Sequence, residues 1–136
     1  MSADSINPPD LGPTPGFSQG MFGKEGGRVL FVAGQIGVDG PSPSGEAPLI
    51  AQFGEALRRI LRVVEDAGGA PPDVARMTVY VTDLDMYRRS RKALGAVWRS
   101  RMGSHYPAMA LVEVKSLLDP LALVEIEATA VIGGRP

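Results

Sequence analysis

The chain has 136 residues, of which 44% are apolar and 21% are charged, and its formal net charge is −1. This balance is typical of one globular domain and argues against a general nucleic-acid-binding protein, which would carry a basic excess. Cysteine is absent and histidine occurs once, so disulfides and thiolate chemistry are excluded, and neither a metal site nor a catalytic triad is predicted.

Residues 1–16 hold four prolines and few large apolar groups, which predicts an extended, partly mobile N-terminal arm. They contain no secretory signal, and no apolar run approaches the ~20 residues of a membrane helix, which favours a cytoplasmic protein. Strands are expected over residues 17–22 and 29–33, the second ended by Gly34. The Gly/Pro-rich loop that follows, over residues 37–48, is either a functional rim or a tolerated surface insertion.

Hydrophobic periodicity predicts the remaining elements of a domain that spans residues 17–136. Apolar residues recur every three or four positions in two segments and alternate in others, which predicts helices over 49–67 and 86–101 and strands over 74–82, 108–114 and 121–132. Asp83 or Asp85 can cap the second helix. The order β-β-α-β-α-β-β predicts an α+β fold, in which two helices pack on one face of a mixed sheet.

The other face of the predicted sheet is not uniformly polar. We expect Tyr80, Met109, Leu111 and Val131 to lie on or near that face. A domain of this size is not expected to leave such a surface in water, so the sequence predicts an oligomer.

Arg91 follows Tyr87 by four residues and precedes Leu94 by three, which places it on the apolar stripe of the second predicted helix. Its stem could pack on the core while its charged head reaches solvent. Alternatively, its guanidinium could face an anionic ligand or a carboxylate in a cleft between subunits.

Two further polar features could carry chemistry. Glu125 and Glu127 share one face of the last strand, with Cβ atoms ~6–7 Å apart, and could act as an acid–base pair or lie on a solvated or ion-paired face. The lone His105 could relay protons or simply be a polar residue at a strand entrance. Six basic residues and no acidic one occupy residues 86–112, which indicates a solvated helix face rather than a phosphate-binding helix: Arg88, Arg89, Arg91, Lys92, Arg99 and Arg101.

Several short segments together resemble the RidA/YjgF family, also called endoribonuclease L-PSP. They are FSQG at 17–20, VLFVAGQI at 29–36, AGG at 67–69, TVYVTDL at 78–84, PAM at 107–109 and LVEIEA at 123–128. The resemblance extends from residue 17 to residue 132. It implies a chorismate-mutase-like fold and a homotrimer with clefts between subunits. For the best-understood members it also implies hydrolysis of enamines and imines such as 2-aminoacrylate to the keto acid and ammonia, without a cofactor.

The resemblance also implies roles for particular residues. Glu125 matches the family's cleft glutamate, which positions water, and Gly34 and Gln35 match the loop after the second strand. Met109 replaces the arginine that binds the substrate carboxylate. Methionine offers neither a charge nor a hydrogen-bond donor, so carboxylate binding must differ in this chain.

Three other positions depart from the family pattern. Phe17 replaces a tyrosine, Ala33 replaces a serine, and Arg91 stands where the imine hydrolases often carry asparagine. We hypothesise that Arg91 partly restores the missing charge from a different direction. The alternative is a structural ion pair between Arg91 and Glu125 or Glu127.

The protein is therefore predicted to form a homotrimer that binds an anionic, carbonyl or imine ligand. Its predicted function is hydrolytic deamination of a substrate other than 2-aminoacrylate. Its predicted cleft combines the catalytic Glu125 with Phe17, Ala33, Gly34, Gln35, Arg91, Met109 and Leu111. A non-catalytic ligand-binding or chaperone-like trimer is the alternative, and a ribonuclease or translation inhibitor ranks last. No cofactor, nucleic-acid partner or membrane partner is expected.

Overall fold

The computed structural model describes residues 3–39 and 47–134. The strands in that part of the chain are β1 (Ala3–Ile6), β2 (Gly20–Gly23), β3 (Arg28–Ile36), β4 (Val74–Val81), β5 (Ala108–Glu113) and β6 (Val124–Ile132). The helices are α1 (Pro48–Asp66), α2 (Leu84–Arg89) and α3 (Arg91–Met102). The predicted α+β fold is confirmed, whereas most of the loop predicted over residues 37–48 lies outside the described residues.

The main sheet has four strands in the order β3-β6-β4-β5. β6 pairs antiparallel with both β3 and β4, whereas β5 runs parallel to β4, so the sheet is mixed as predicted. β1 and β2 form a separate antiparallel ribbon, in which Ala3 pairs with Gly23 and Ile6 with Gly20. The predicted N-terminal arm thus contributes a strand that was not expected, because four residues are too few to carry a clear alternating pattern.

α1 agrees with the helix predicted over residues 49–67 to within one residue at each end. Phe53, Leu57, Ile60 and Val64 of its apolar stripe are at most 2% exposed and belong to the core that α1 forms with β3 and β6. Burial of each such side chain stabilises the fold by about 2 kcal/mol. Gly68, with a φ of 88°, ends the helix because its left-handed backbone is strained for other residues.

The single helix predicted over residues 86–101 is wrong, because the structure contains two helices with a break at Ser90. The φ and ψ of Ser90 are −100° and 5°, and its N–H donates to the carbonyls of both Met86 and Tyr87. Serine has only moderate helix propensity, so the backbone can depart from helical geometry here at little cost. Asp83 caps α2 as predicted, with its carboxylate accepting from the N–H of Met86 at 3.0 Å.

The break changes the setting of Arg91. As the first residue of α3 it is exposed rather than part of a buried stripe. The buried residues of α3 are Leu94, Trp98 and Met102, which join the core with α1. Arg91 keeps its spacing of three and seven residues from Leu94 and Trp98, so it lies on their side of the helix as predicted, with its side chain exposed.

The helix-facing side of the sheet forms most of the core. Met77, Val79 and Val81 of β4 and Val124 and Ile126 of β6 are fully buried there. The alternation seen in the sequence of these strands is confirmed, since the residues between them point to the opposite face.

Met109 and Leu111 also lie on the helix-facing side. In the parallel register they pair with Met77 and Val79, and both pack against the core. Their predicted position on the other face is wrong, because the strand that neighbours β5 sets its facing and the sequence does not identify that neighbour.

The outer face, turned away from the helices, carries Tyr80, Glu125 and Glu127 from β4 and β6. It also exposes apolar groups of β3, since Val29 is 55% exposed and Phe31 is 80% exposed. No helix in the described ranges is long and apolar enough to cross a bilayer.

β3 extends beyond its predicted end at Gly34. Val32 pairs with Ala128 and Gln35 with Ile126, and a bulge between these pairs lets the strand continue to Ile36. A glycine inside a strand often marks such a bulge or the close approach of another group, and both are found here.

Candidate functional site

A cleft of about 630 Å³ opens beside α3 on the helix-facing side of the sheet. We call it the helix-side cleft. It brings together four of the predicted ligand-binding residues, Phe17, Arg91, Met109 and Leu111. The other described residues that line it are mostly apolar or basic: Pro15, Gly16, Phe53, Leu84, Tyr87, Arg88, Leu94, Gly95, Trp98, Arg99 and Tyr106.

Two stacked aromatic rings form one wall of the helix-side cleft. Trp98 of α3 and Tyr106 before β5 lie parallel to within 7°, with ring centroids 5.8 Å apart. The indole N–H donates to the carbonyl of His105 at 3.1 Å, and the His105 Nε2 lies 2.7 Å from the carbonyl of Val74. These bonds fix the segment that leads into β5, so His105 supports the wall and is not a lining residue.

Arg91 lies at the rim of the helix-side cleft, close to Tyr87. Burial raises the pKa of Tyr87, and the positive charge of Arg91 acts in the opposite direction. Met109 and Leu111 add an apolar surface that offers no charged hydrogen-bond donor. An anionic group in this cleft must therefore bind at the rim, with its apolar remainder against β5.

The charge of the helix-side cleft is positive. Of its three arginines, Arg88 pairs with Asp85 at 3.1 Å, whereas Arg91 and Arg99 form no ion pair with any carboxylate of the described residues. No aspartate or glutamate within the described ranges lines the cleft. Arg99 was predicted to lie on a solvated helix face, although its spacing of eight residues from Arg91 places both near one side of a helix.

A second group of predicted site residues lies on the outer face of the sheet. A Cβ placed on Gly34 would stand only 2.5 Å from Oε2 of Glu125, so the Glu125 carboxylate rests directly over the glycine backbone. Ile36 pairs with Glu125 across the strands, and Gln35 donates a hydrogen bond from Nε2 to the carbonyl of Ala33 at 3.3 Å. The backbone of β3 at Gly34 thus lies directly against the carboxylate.

Glu125 has acidic and phenolic neighbours on that face. The Tyr80 hydroxyl donates to Oε2 of Glu127 at 2.8 Å, and this bond raises the pKa of Tyr80. Neither glutamate forms an ion pair within the described residues. We call Gly34, Tyr80, Glu125 and Glu127 the outer-face cluster.

A smaller pocket of about 230 Å³ adjoins the outer-face cluster, and Phe31, Arg76 and Glu127 are among the residues that line it. It contains none of the predicted ligand-binding residues. No group of three or more potential metal ligands occurs in the parts of the chain that the structure covers.

The predicted site residues therefore fall into two sets on opposite faces of one sheet. The helix-side cleft holds Phe17, Arg91, Met109 and Leu111, whereas Gly34 and Glu125 belong to the outer-face cluster. Ala33 lies in the bulge of β3 next to Gly34, and Gln35 pairs with the buried Ile126. Within the described residues of the single chain, Arg91 forms no ion pair with Glu125 or Glu127. A pair between subunits stays a prediction.

Comparison with known proteins identifies the family. The family model described as Endoribonuclease L-PSP matches residues 10–132. This chain belongs to the RidA/YjgF family. A RutC family protein of Pyrococcus horikoshii is 33% identical to it over 126 residues, which cover 90% of each chain.

Two further relatives agree with this assignment. The 2-iminobutanoate/2-iminopropanoate deaminase of Escherichia coli strain K12 is 30% identical over 105 residues, which cover 77% of this chain and 80% of that one. The crystal structure of YyfB, a Rid family protein of unknown function from Yersinia pestis, superposes with a TM-score of 0.80 at 31% identity, covering 97% of this chain and 100% of that one. The resemblance noted in the sequence is confirmed at the level of family and fold.

Proposed function

We propose that this RidA/YjgF family member hydrolyses imines or enamines of amino acids larger than alanine, releasing a 2-oxo acid and ammonia. The observation that carries the proposal is the helix-side cleft, which combines exposed Arg91 with the apolar surface of Met109 and Leu111. The deaminase name of the E. coli relative supports the reaction class. The apolar surface of Met109 and Leu111 supports a substrate with a larger side chain than 2-aminoacrylate.

The proposal includes a homotrimer, in which the outer-face cluster of one subunit meets the helix-side cleft of the next. Two observations support it. The predicted site residues are split between two faces that a single chain cannot bring together, and the outer face exposes Val29 and Phe31, at 55% and 80%. Exposed apolar surface of this kind is typical of a face that a partner covers.

In the proposed reaction Arg91 binds the substrate carboxylate, and the apolar side chain lies against Met109 and Leu111. Glu125 accepts a proton from water, and the water oxygen forms a bond to the imine carbon. That proton passes to nitrogen and gives the carbinolamine. The carbinolamine hydroxyl then loses its proton, which reaches nitrogen through Glu125, and the C–N bond breaks as the C=O bond forms, so that ammonia leaves with the 2-oxo acid. Charge on the carbinolamine nitrogen forms next to the carboxylate, which stabilises it.

We predict that the protein accelerates release of ammonia from the 2-imino acid of leucine more than from that of alanine. Both imines can be generated in situ by an amino-acid oxidase, with ammonia release measured against spontaneous hydrolysis. Glu125→Gln should lower the acceleration at least about 100-fold, because an amide cannot accept the proton from water. Glu65→Gln, a change at an exposed glutamate of α1, is the control.

Met109→Arg extends the same experiment. It adds a guanidinium to the floor of the cleft, so activity should shift towards the alanine-derived imine. If the wild type accelerates neither reaction, hydrolysis of these imines is rejected.

A second candidate is a non-catalytic ligand-binding trimer. It is favoured by the loss of polar groups at three positions, where Phe17, Ala33 and Met109 stand for the tyrosine, serine and arginine of the imine-hydrolysing members of the family. The two functions differ in the effect of Glu125→Gln. In a deaminase this change lowers turnover, whereas in a binding protein it changes only ligand affinity.

A further inference from the structure

The helix-side cleft carries two positive charges on α3 that no carboxylate of the described residues neutralises. Arg91 and Arg99 both line the cleft, both are exposed, and neither forms an ion pair there. Two guanidiniums at one opening attract anionic groups. In the proposed trimer the Glu125 carboxylate of the next subunit accepts a proton from water and the substrate carboxylate binds Arg91, so neither group is assigned to Arg99.

The guanidinium of Arg99 lies next to Gly95. A Cβ on Gly95 would stand 3.3 Å from Nη1 of Arg99, so the head of that arginine lies over the glycine. Helical side chains lean towards the N-terminus, and Arg99 thereby reaches back by about one turn in the direction of Arg91. Gly95 itself lines the cleft and lies inside a 12-residue helix, where glycine is less stable than alanine.

The wall between the two charges is apolar. Leu94 and Trp98 of α3 and Leu111 of β5 line the same cleft and offer no ionised group. A ligand that satisfies both arginines must therefore have anionic groups at its two ends and an apolar stretch between them. The guanidinium of Arg99 thus lies about 6 Å along the helix axis from the backbone of Arg91. The distance between the two charges, and with it the length of the ligand, is set by how the exposed side chain of Arg91 extends.

We infer that Arg99, seated over Gly95, is a second anion-binding residue of the helix-side cleft, and that the ligand is a dicarboxylic 2-oxo or 2-imino acid. The inference deepens the proposed function and rests on it for the 2-oxo or 2-imino end, which Arg91 binds. Arg99 then binds the distal carboxylate and sets the length and charge of the side chain that the cleft accepts.

Binding can be measured without turnover, because Trp98 is the only tryptophan of the chain and lines the cleft. Its fluorescence is titrated with 2-oxohexanedioate and with 2-oxohexanoate, at constant ionic strength. The two probes have equal chain length and differ by one carboxylate. The wild type should bind the dicarboxylate about tenfold more tightly, as expected for one charge-assisted contact.

Single substitutions then assign the preference to a residue. Arg99→Ala should abolish the preference for the dicarboxylate and leave affinity for the monocarboxylate unchanged, whereas Arg91→Ala should weaken both. Arg101→Ala is the matched control, because this exposed arginine of α3 does not line the cleft and should change neither affinity. An equal loss for both probes in Arg99→Ala would overturn the inference.

Gly95→Ala separates binding from folding. The added methyl should raise the melting temperature, because alanine is the better helix former, yet reduce the dicarboxylate preference by displacing Arg99. A raised melting temperature with an unchanged preference would contradict the inference. Failure of the proposed function gives a different result. A protein that prefers the dicarboxylate through Arg99 but hydrolyses no imine would retain the assignment of Arg99 as a ligand-binding residue, and only the deaminase reaction would be rejected.

Discussion

Gly34 and Glu125 show how closely backbone and carboxylate meet at the outer-face cluster. Oε2 of Glu125 lies only 2.5 Å from the point that the Cβ of any other residue at position 34 would occupy. Gly34 is thus required for space and not for a left-handed backbone, since its φ is not positive. Both residues were predicted from the family resemblance, which offers no physical reason for the glycine.

Gly34→Ala should lower deaminase turnover about tenfold or more while changing the free energy of unfolding by less than about 1 kcal/mol. The reason is that the flexible end of Glu125 can move away from the new methyl group, which preserves the fold but misplaces the carboxylate. Imine hydrolysis and chemical denaturation measured together would check this. Gly20→Ala is a suitable control, because its Cβ would meet only Ile6, at an ordinary 3.8 Å.

At the same scale, sequence patterns located some cleft residues and missed others. Phe17, Arg91 and Met109 were identified by departures from the family pattern, and the structure places all three in one cleft. Arg99 was assigned to a solvated helix face, because its role depends on Gly95 and on the position of α3 beside β5. Neither relation can be read from composition or from helical periodicity.

Among the elements, α1 forms polar side-chain contacts with the segment that follows β3 and with the segment that precedes β6. Glu55, only 7% exposed, accepts a bidentate pair of hydrogen bonds from Arg58 at 2.7 and 2.8 Å and another from Arg59 at 2.9 Å. Arg59 also reaches Asp39 beyond β3, at 2.5 Å. On the same helix, the side-chain amide of Gln52 donates a hydrogen bond to the carbonyl of Leu121 and accepts one from the N–H of Leu123, just before β6.

Glu55→Gln should destabilise the fold by on the order of 2 kcal/mol near neutral pH, because it removes charge-assisted hydrogen bonds from two arginines. The hydrogen bond from Arg58 lowers the pKa of Glu55 from 4.5 to about 2. A carboxylate with a lowered pKa stabilises the fold above its unfolded value, so this contribution is complete above pH 4.5 and is lost as pH falls towards 2.

Urea denaturation of the wild type and of Glu55→Gln over that pH range tests the assignment. The difference in unfolding free energy should be constant above pH 5 and shrink below it. A difference that does not change with pH would show that packing, and not ionisation of Glu55, accounts for the effect.

The elements that periodicity predicted well are those whose burial is uniform along their length. α1 and β4 have one continuous buried face, and their predicted bounds hold to within about one residue. The break at Ser90 and the bulge at Gly34 were missed because each depends on local backbone geometry. The side of the sheet on which Met109 and Leu111 of β5 lie was predicted wrongly, because it depends on the parallel pairing of β5 with β4, which local sequence patterns do not specify.

At the scale of the molecule, the outer face exposes apolar side chains that no other part of the described chain covers. β3 exposes Val29 and Phe31 there, and Val112 of β5 is 42% exposed. In the proposed trimer a neighbouring subunit covers this surface, which removes the cost of keeping these side chains in water.

Phe31→Asp should convert the proposed trimer to monomers, because a charge would be buried without a partner at the subunit contact. Light scattering after size-exclusion chromatography would show the mass falling from three chains to one. Val63→Asp, a change at a valine of α1 that is 38% exposed on the helix side, should leave the mass unchanged. A wild type that is already monomeric, or a trimer that tolerates Phe31→Asp, would contradict the proposed assembly.

The separation of the two residue sets by a single sheet also bears on how such a protein can diversify. Groups that select the ligand lie on α3 and β5, whereas the carboxylate proposed to act on water lies on the opposite side of β6. Within one chain the sheet stands between the two sets, so a substitution in one set does not repack the other in the same subunit, and they meet only across the proposed subunit contact. An ancestral protein could thus exchange one ligand for another through changes such as Met109 and Arg91, with its hydrolytic chemistry inherited intact.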